Sequence, residues 1–446
     1  MVVNREVLES RLNDFNPAAR RAALEELAGQ ARRGQIDFTL TRPVVNLHCH
    51  TFFSYNGYGY SPSYIAWRAR CEGLYMAGIV DFDVLDAVDE FLAACELLDL
   101  KGCAGIETRI FVPEFHTRVI NSPGEPGISY HMGCGFTSSK VDDTAFLNSM
   151  KDAARRRNEE VVARVNGFLC PVQLDYERDV LPLVPKGNAT ERHLCMAYDA
   201  KASEVIPDAA KRAAFWAEKL GENAASIEKM FADPPVFQGV IRAKTMKAGG
   251  VGYVKPEGAA FPRLDAVNAL TLSAGAIPTH AWLDGTTEGE RDIEELLDLE
   301  MAAGVAAVNI IPDRNWNIKD PAARKIKVAH FHKFVELAKA RDLPIIVGTE
   351  MNAYGNRFVD DFDAPEMQSV ASAFIEGANI LFTHTVLQSA AGLGYLSPWA
   401  KKHFASTKDK NKFFAELGAV LTQWNKADLG DIGSDPKPAA IAALLG

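Results

Sequence analysis

Two histidines separated by one residue stand at the end of a short apolar segment. His48 and His50 follow residues 44–47, and residues two apart in a β-strand point to the same side. Their imidazoles would therefore lie side by side at one end of a strand, with Cys49 pointing away. Histidine is a common ligand of divalent metal ions, and two adjacent ones provide half of a site. An ordinary hydrogen-bonded pair of histidines would give the same pattern.

Further acids and histidines occupy equivalent positions along the chain. Each comes directly after a short apolar segment: Asp81, Glu107, His131, His280, Glu350 and His384. In a parallel barrel the carboxyl ends of the strands meet at one face, where active sites are built. So many ligand-type residues at equivalent positions are hard to attribute to chance. Together with the two neighbouring histidines, they favour a metal site.

The apolar segments alternate with helical stretches over most of the chain. The segments predicted as strands are 44–47, 76–80, 103–106, 128–130, 276–277, 305–311, 344–347 and 380–382. Strands that alternate with amphipathic helices predict parallel βαβ units. Seven or eight such units favour a closed α/β barrel. An open doubly wound sheet is the alternative, but no Gly-rich phosphate-binding turn follows the first strand.

Composition suggests five consecutive segments. Residues 1–40 are predicted to form a helical preface that packs on another part of the protein. Residues 41–140 and 263–394 carry the barrel pattern, and residues 141–262 interrupt it with helical spacings. We interpret the interruption as a mainly helical insertion over one end of the barrel. Residues 395–446 are predicted to form a helical tail.

Charge and cysteine content narrow the function classes. The 446 residues are 48% hydrophobic and 24% charged, which excludes a mostly disordered chain and a coiled-coil rod. The net charge of −10 argues against generic binding to nucleic acid or anionic membranes, so a small-molecule substrate is expected. Seven cysteines without a CxxC pair, no signal-like N-terminus and no apolar run of membrane length favour the cytoplasm. Nothing indicates the oligomeric state.

The residues around the first two histidines resemble the opening of the PHP (polymerase and histidinol phosphatase) domain. That family has a strand, His-x-His-Thr, a Ser-rich turn, Ser-Pro, a helix ending in Gly-Leu and a strand ending in Thr-Asp-His. The corresponding segment here is VVNLHCHTFFSYNGYGYSPSYIAWRARCEGLYMAGIVDFD. GCAGIET, YHMGCG, IPTHAW and IIVGTEMN resemble later strands of the family. The resemblance covers residues 44–140 and 270–355 and implies a distorted (β/α)7 TIM-like barrel.

The resemblance implies ligands for three metal ions, and this sequence keeps those of two. The residues carried over to the first ion are His48, His50, Glu107 and Glu350. Those carried over to the second are Glu107, His131 and His280. The third ion needs histidines at positions that hold Asn56, Phe82 and Asn352. We therefore expect two divalent ions, Zn, Mn or Fe, bridged by Glu107, with the third site lost.

Catalytic roles follow from this arrangement. The predicted catalytic residues are Glu107, His280 and Asp81, the last as an orienting group or as the base for water. The residues predicted to bind substrate are Arg109, Lys255, Arg314 and His384. A structural ion pair is an equal alternative for Arg109.

The resemblance implies a metal-dependent hydrolase, in the first place a phosphoesterase acting on a small soluble phosphorylated substrate. The insertion falls between His131 and His280, so it would cover the mouth of the barrel and set specificity. Loss of the third ion weakens the phosphatase interpretation. One alternative is therefore a C–N or C–O hydrolase that resembles amidohydrolases, and another is a metal-stabilised binding module without turnover.

Overall fold

The computed structural model describes residues 4–255, 258–423, 425–429 and 432–444. The strands are β1 (Arg42–Cys49), β2 (Leu74–Phe82), β3 (Lys101–Phe111), β4 (Ile128–Cys134), β5 (Ile277–Trp282), β6 (Ala307–Ile310) and β7 (Ile345–Val347). The helices before the insertion are α1 (Arg5–Arg11), α2 (Pro17–Arg32), α3 (Pro62–Cys71) and α4 (Val88–Leu98). Those of the insertion are α5 (Thr144–Leu169), α6 (Glu191–Val205), α7 (Ala209–Leu220), α8 (Ala224–Met230) and α9 (Pro234–Thr245). The remaining helices are α10 (Leu264–Ser273), α11 (Glu288–Arg291), α12 (Ile293–Ala302), α13 (Asp313–Trp316), α14 (Pro321–Ala340), α15 (Pro365–Gln368), α16 (Ala371–Ala391), α17 (Pro398–His403), α18 (Thr407–Val420), α19 (Asn425–Leu429) and α20 (Pro438–Leu444).

The seven strands of the described residues form one sheet in chain order that curves into a nearly closed barrel. Strands β1 to β3 are parallel to each other, and so are β5 to β7. Strand β4 runs antiparallel to both β3 and β5. A parallel bridge between Cys49 and Glu350 connects the end of β1 to the residues after β7. The predicted distorted TIM-like barrel is confirmed, and the reversed β4 is its distortion.

Seven of the eight apolar segments predicted as strands lie in strands or directly beside them. The eighth, residues 380–382, lies inside α16, so its prediction as a strand was wrong. Helix α16 is buried along most of its length and packs against β1, β7 and α18. A short apolar run suits a buried helix as well as a strand, because neither needs a polar face.

The N-terminal helices pack on the helical layer of the barrel. The Ser61 hydroxyl at the start of α3 donates to the Leu12 carbonyl, and the Ser61 amide donates to Asn13 Oδ1 at 2.8 Å. The Trp67 indole donates to Glu9 at 2.8 Å. No helix in the described part of the chain is long and apolar enough to cross a membrane.

The insertion has a hydrophobic core of its own. Its helices bury Val165, Tyr198, Trp216 and Phe237 in a cluster separate from the barrel core. Between α5 and α6, the Asn188 amide donates to the carbonyl at the end of β2 over 2.7 Å. The insertion therefore contacts the carboxyl end of the barrel, where the predicted site residues of β1 and β3 lie.

Candidate metal centre

Three buried side chains converge at the carboxyl end of the barrel. Glu107 Oε2 lies 2.9 Å from His50 Nε2 and 3.4 Å from His48 Nε2. Strand β1 presents the two imidazoles, and β3 presents the carboxylate. Within the described residues, these three form the one group of His, Cys, Asp or Glu side chains whose ligand atoms all lie within 4.8 Å of one another. Two imidazoles and a carboxylate are a ligand set for a divalent cation.

The His48 ring is held with one nitrogen aimed at the centre. Its Nδ1 lies 3.0 Å from Asn309 Oδ1 on β6, and an amide oxygen can only accept a hydrogen bond. The amide nitrogen of Asn309 faces the Ile346 carbonyl at 3.3 Å, which supports this amide orientation. The proton therefore resides on Nδ1, and the lone pair of Nε2 points toward Glu107. Such a partner behind a ligating histidine is typical of metal sites.

A second chain of hydrogen bonds holds His50. Its Nδ1 lies 3.1 Å from Ser54 Oγ, and that hydroxyl donates to Asp81 Oδ1 at 2.5 Å. Since the hydroxyl proton points to Asp81, the hydroxyl accepts from His50 Nδ1. Asp81 also accepts from the amide and hydroxyl of Thr51, at 2.8 and 2.6 Å. Asp81 thus orients His50 through Ser54.

The sheet register excludes the second role predicted for Asp81, that of a base beside the metal centre. Asp81 pairs with Ile106, whereas Phe82 pairs with Glu107. Residues that pair directly share a face, so Asp81 points to the opposite side of the sheet from Glu107. Its carboxylate instead accepts hydrogen bonds from Thr51 and Ser54 in the loop after β1.

Glu107 and the two histidines influence one another's protonation. Burial raises the pKa of Glu107, but His48 and His50 outweigh this and hold it at about 2. Burial also disfavours the charged form of His48, yet Glu107 raises its pKa above the ordinary value. None of His48 Nε2, His50 Nε2 and Glu107 Oε2 has a hydrogen-bond partner of good geometry. Buried lone pairs without partners fit a site for a cation.

Glu350 locks β1 to β7 through its backbone. Its amide donates to the His48 carbonyl at 2.7 Å, and its carbonyl accepts from the His50 amide at 2.8 Å. Glu350 and Met351 both have positive φ, 64° and 56°, which is strained for residues with side chains. Such strain is stored where a fixed geometry is required. The Glu350 carboxylate pairs with Arg314, and its ligand role stays a prediction.

Gly348 permits the close approach of β7 to β1. A Cβ at this position would lie 2.4 Å from both the backbone nitrogen and the Cβ of His48. No side chain fits that space, so glycine is required for β7 to lie against the strand that carries the imidazoles.

The structure does not bring His131 and His280 to Glu107, so the predicted second ligand set is not assembled. His131 pairs with Thr108, whereas Glu107 pairs with Met132. His131 therefore points to the opposite face of the sheet, and His280, which pairs with His131, shares that outer face. The expectation failed because of the register: His131 lies at the level of Glu107 along the barrel but pairs with the next residue, Thr108, so its side chain leaves the opposite face of the sheet.

Both histidines contact the outer helices instead. His131 Nε2 lies 2.7 Å from Asn268 Oδ1 on α10. His280 Nδ1 lies 2.8 Å from Glu300 Oε2 on α12, and both side chains are fully buried. His280 and Glu300 thus form a buried pair between the barrel and its helical layer, although their polar atoms, like those of the metal centre, lack a hydrogen-bond partner of good geometry. A catalytic role for His280 does not fit this position.

The predicted substrate-binding residues have different surroundings. Arg109 shares the face of Glu107 but pairs with Glu125 at 2.9 Å. Arg314 pairs with Glu350, and Lys255 is exposed.

His384 lies away from the centre, which corrects its predicted role. It sits inside α16, where its Nε2 donates to the Gly135 carbonyl at 3.0 Å and its Nδ1 accepts from the Tyr395 amide at 3.0 Å. Gly135 follows β4 and is bonded to Ala104 near the start of β3, so it lies at the amino end of the barrel.

Two of the positions of the lost third ion now support the first histidine pair. The Phe82 ring lies over His50 with centroids 4.2 Å apart. The Asn56 amide donates to the His50 carbonyl at 2.8 Å. Neither residue offers an imidazole, and the loss of the third site stays a prediction.

Replacing Ser54 by Ala is expected to weaken metal binding by about 10- to 100-fold, because His50 Nδ1 would lose its acceptor. Ser129→Ala is a matched control, since Ser129 is a buried serine on the outer face of β4. Titration of metal-free protein with Mn²⁺ or Zn²⁺ measures both. Equal affinity of Ser54→Ala and wild type would show that the Ser54 hydrogen bond does not orient a ligand.

No protein-family model matches the sequence, and no curated protein matches it. Two solved structures resemble it in shape. One is an amidohydrolase from Chromobacterium violaceum with bound sulfate and no metal, at 15% identity and a TM-score of 0.48. The other, from Bifidobacterium adolescentis, is named as a metal-dependent phosphoesterase, at 19% identity and a TM-score of 0.45. Each alignment covers 74% of this chain and 96% of the other. At this distance neither likeness decides the activity, and the candidate function depends on the site itself.

Proposed function

We propose that this protein is a metal-dependent hydrolase that binds one divalent cation through His48, His50 and Glu107. The observation that supports this most is the convergence of two Nε2 atoms on one carboxylate oxygen, with both Nδ1 atoms held from behind. One ion is proposed instead of two because the other two predicted imidazoles lie on the outer face. Mixed nitrogen and oxygen ligands suit Zn, Mn or Fe.

Each residue of the proposed site would have a separate role. Glu107 supplies the negative charge that a cation requires, and the hydrogen bonds of Asn309 and Ser54 fix the two rings. We propose Glu350 as a further ligand once its carboxylate leaves Arg314. A cation bound here would activate water and polarise the bond to be cleaved.

A phosphoester is the substrate class that the charges at the mouth favour. The guanidinium groups of Arg109 and Arg157 lie 4.6 and 5.1 Å from the centroid of the Phe261 ring, so two like charges are close together. Arg157, on α5, has no ion pair within the described residues. Arg109 is already paired with Glu125, so Arg157 is the cation of this pair that would attract an anionic substrate.

Metal analysis tests the number of ions. Protein purified without chelator is expected to contain about one tightly bound divalent ion per chain, because one ligand cluster is assembled. Elemental analysis of the purified protein gives this number. Two tightly bound ions would contradict the single site and support the dinuclear arrangement that the sequence suggested.

A substrate panel tests the reaction. With Mn²⁺, Zn²⁺ or Fe²⁺ added back, p-nitrophenyl phosphate or bis(p-nitrophenyl) phosphate is expected to be hydrolysed. Selective turnover of amide or lactone substrates would instead support a C–N or C–O hydrolase. Metal binding without turnover of any substrate would support a binding module.

A further inference from the structure

A cleft lies between the insertion and the two loops that hold the metal centre. The empty space in and at the opening of the cleft is about 440 Å³, and its walls include Tyr55, Tyr354, Arg192 and Arg242. Tyr55 follows directly on Ser54, which holds His50, and Tyr354 lies in the loop after Glu350. The two arginines come from α6 and α9 of the insertion. The cleft is therefore part of the same rim as the metal centre.

The cleft carries an unpaired positive charge. Arg192 is half-buried, and within the described residues its side chain makes no hydrogen bond or ion pair; its guanidinium lies 5.5 Å from the centroid of the Tyr55 ring. Arg242 pairs with Glu191 at 2.9 Å, and Lys247 shares the same carboxylate at 2.6 Å. Arg192, Arg242 and Lys247 are thus three cations close to one carboxylate, that of Glu191.

An unpaired guanidinium at this place is costly without a ligand. Burial lowers the pKa of Arg192 and the nearby Arg242 lowers it further, and together they outweigh Tyr55 and Glu191, which raise it. Asp199, another acid near the cleft, is bonded to the Gln238 amide at 3.0 Å. An anion between the insertion and the rim would relieve this cost. The planar fork of arginine fits the two oxygens of a carboxylate or phosphate.

We propose that this cleft binds a second anionic group of the substrate, one that is not cleaved, through Arg192. Tyr55 and Tyr354 would line the path between this group and the bond at the metal centre. The inference rests on the proposed function and narrows it to small molecules with two anionic groups. The insertion would then select the substrate by supplying the arginine.

Calorimetric titration of the metal-free full-length protein with inorganic phosphate and, separately, acetate tests the cleft directly. Arg192→Gln is expected to weaken binding of at least one of the two probes by about 10-fold or more, the effect of a lost charge-assisted hydrogen bond. Arg156→Gln is the matched control, because Arg156 is exposed on α5 and has no hydrogen bond or ion pair within the described residues. It is expected to bind both probes as wild type does.

The result can be read without turnover or metal. Unchanged binding of both probes by Arg192→Gln, an equal loss in Arg156→Gln, or no binding by wild type would overturn the proposal. Metal content of Arg192→Gln at the wild-type level shows that the variant is folded. If Arg192→Gln loses probe binding and Arg156→Gln does not, while wild type hydrolyses no substrate, the proposed function is contradicted. The anion site in the cleft would then stand without it.

Discussion

Replacing Glu107 by Gln is expected to weaken binding of a divalent cation by at least about 100-fold and to abolish metal-dependent hydrolysis. Gln keeps the size and one oxygen of the side chain but removes the negative charge. That charge faces two imidazoles in a buried place, where the carboxylate is held ionised with a pKa of about 2. Elemental analysis, titration with Mn²⁺ or Zn²⁺ and the hydrolysis assay measure the loss.

A matched control separates the site from the general effect of losing a buried acid. Glu300→Gln makes the same change in a carboxyl group that is fully buried on the outer side of the barrel. We expect this variant to keep the metal affinity of wild type wherever it is folded. Wild-type affinity in Glu107→Gln, with circular dichroism showing a native fold, would remove Glu107 from the metal centre.

The barrel and its first ligands could be predicted from the sequence because they depend on local periodicity. The apolar segment before His48 forms a strand, and the two-residue repeat of a strand places His48 and His50 on one face. Glu107 ends a similar segment in β3, a parallel strand separated from β1 by β2, so its side chain reaches the same centre.

Strand direction could not be predicted in the same way. The three-residue apolar segment before His131 is equally compatible with a parallel and an antiparallel strand. The direction of β4 is decided by pairing with β3 and β5, residues that are close only in the fold. The register of that pairing, which sets His131 opposite Thr108 and His280 opposite His131, turned both histidines outward.

The residues that accept hydrogen bonds from the two histidines are only weakly indicated by the sequence. Asn309 interrupts the apolar run of β6, and a polar side chain there must find a buried partner. Ser54 has no such signal, because it lies in a loop rich in polar and aromatic residues. Its role depends on Asp81, which lies 27 positions later.

Replacing His280 by Ala is expected to lower the free energy of unfolding by about 3–5 kcal/mol, because the Glu300 carboxylate would be left buried without its partner. The folded variant is expected to bind metal as wild type does, since His280 faces away from Glu107. Denaturant unfolding in the presence of chelator measures stability without a contribution from bound metal. Titration under native conditions measures metal affinity.

A double variant keeps this prediction testable if His280→Ala does not fold. His280→Leu combined with Glu300→Met removes both charges and fills similar space, so much of the stability is expected to return. Its metal affinity should equal that of wild type. Weak metal binding by a stable double variant would instead identify His280 as a ligand and restore the second ion.

The pH dependence of stability adds a readout that a metal ligand would not give in the presence of chelator. Burial lowers the pKa of His280, but Glu300 raises it by more, so the folded-state pKa lies above the ordinary value. A raised histidine pKa stabilises the fold fully below the unfolded-state pKa of about 6.5, and this contribution is lost as the pH rises through the folded-state value. The unfolding free energy of wild type should therefore fall relative to that of the double variant as the pH rises above neutrality. If the unfolding free energy of wild type relative to the double variant stays constant from pH 6 to pH 9, the pKa of His280 does not change on folding.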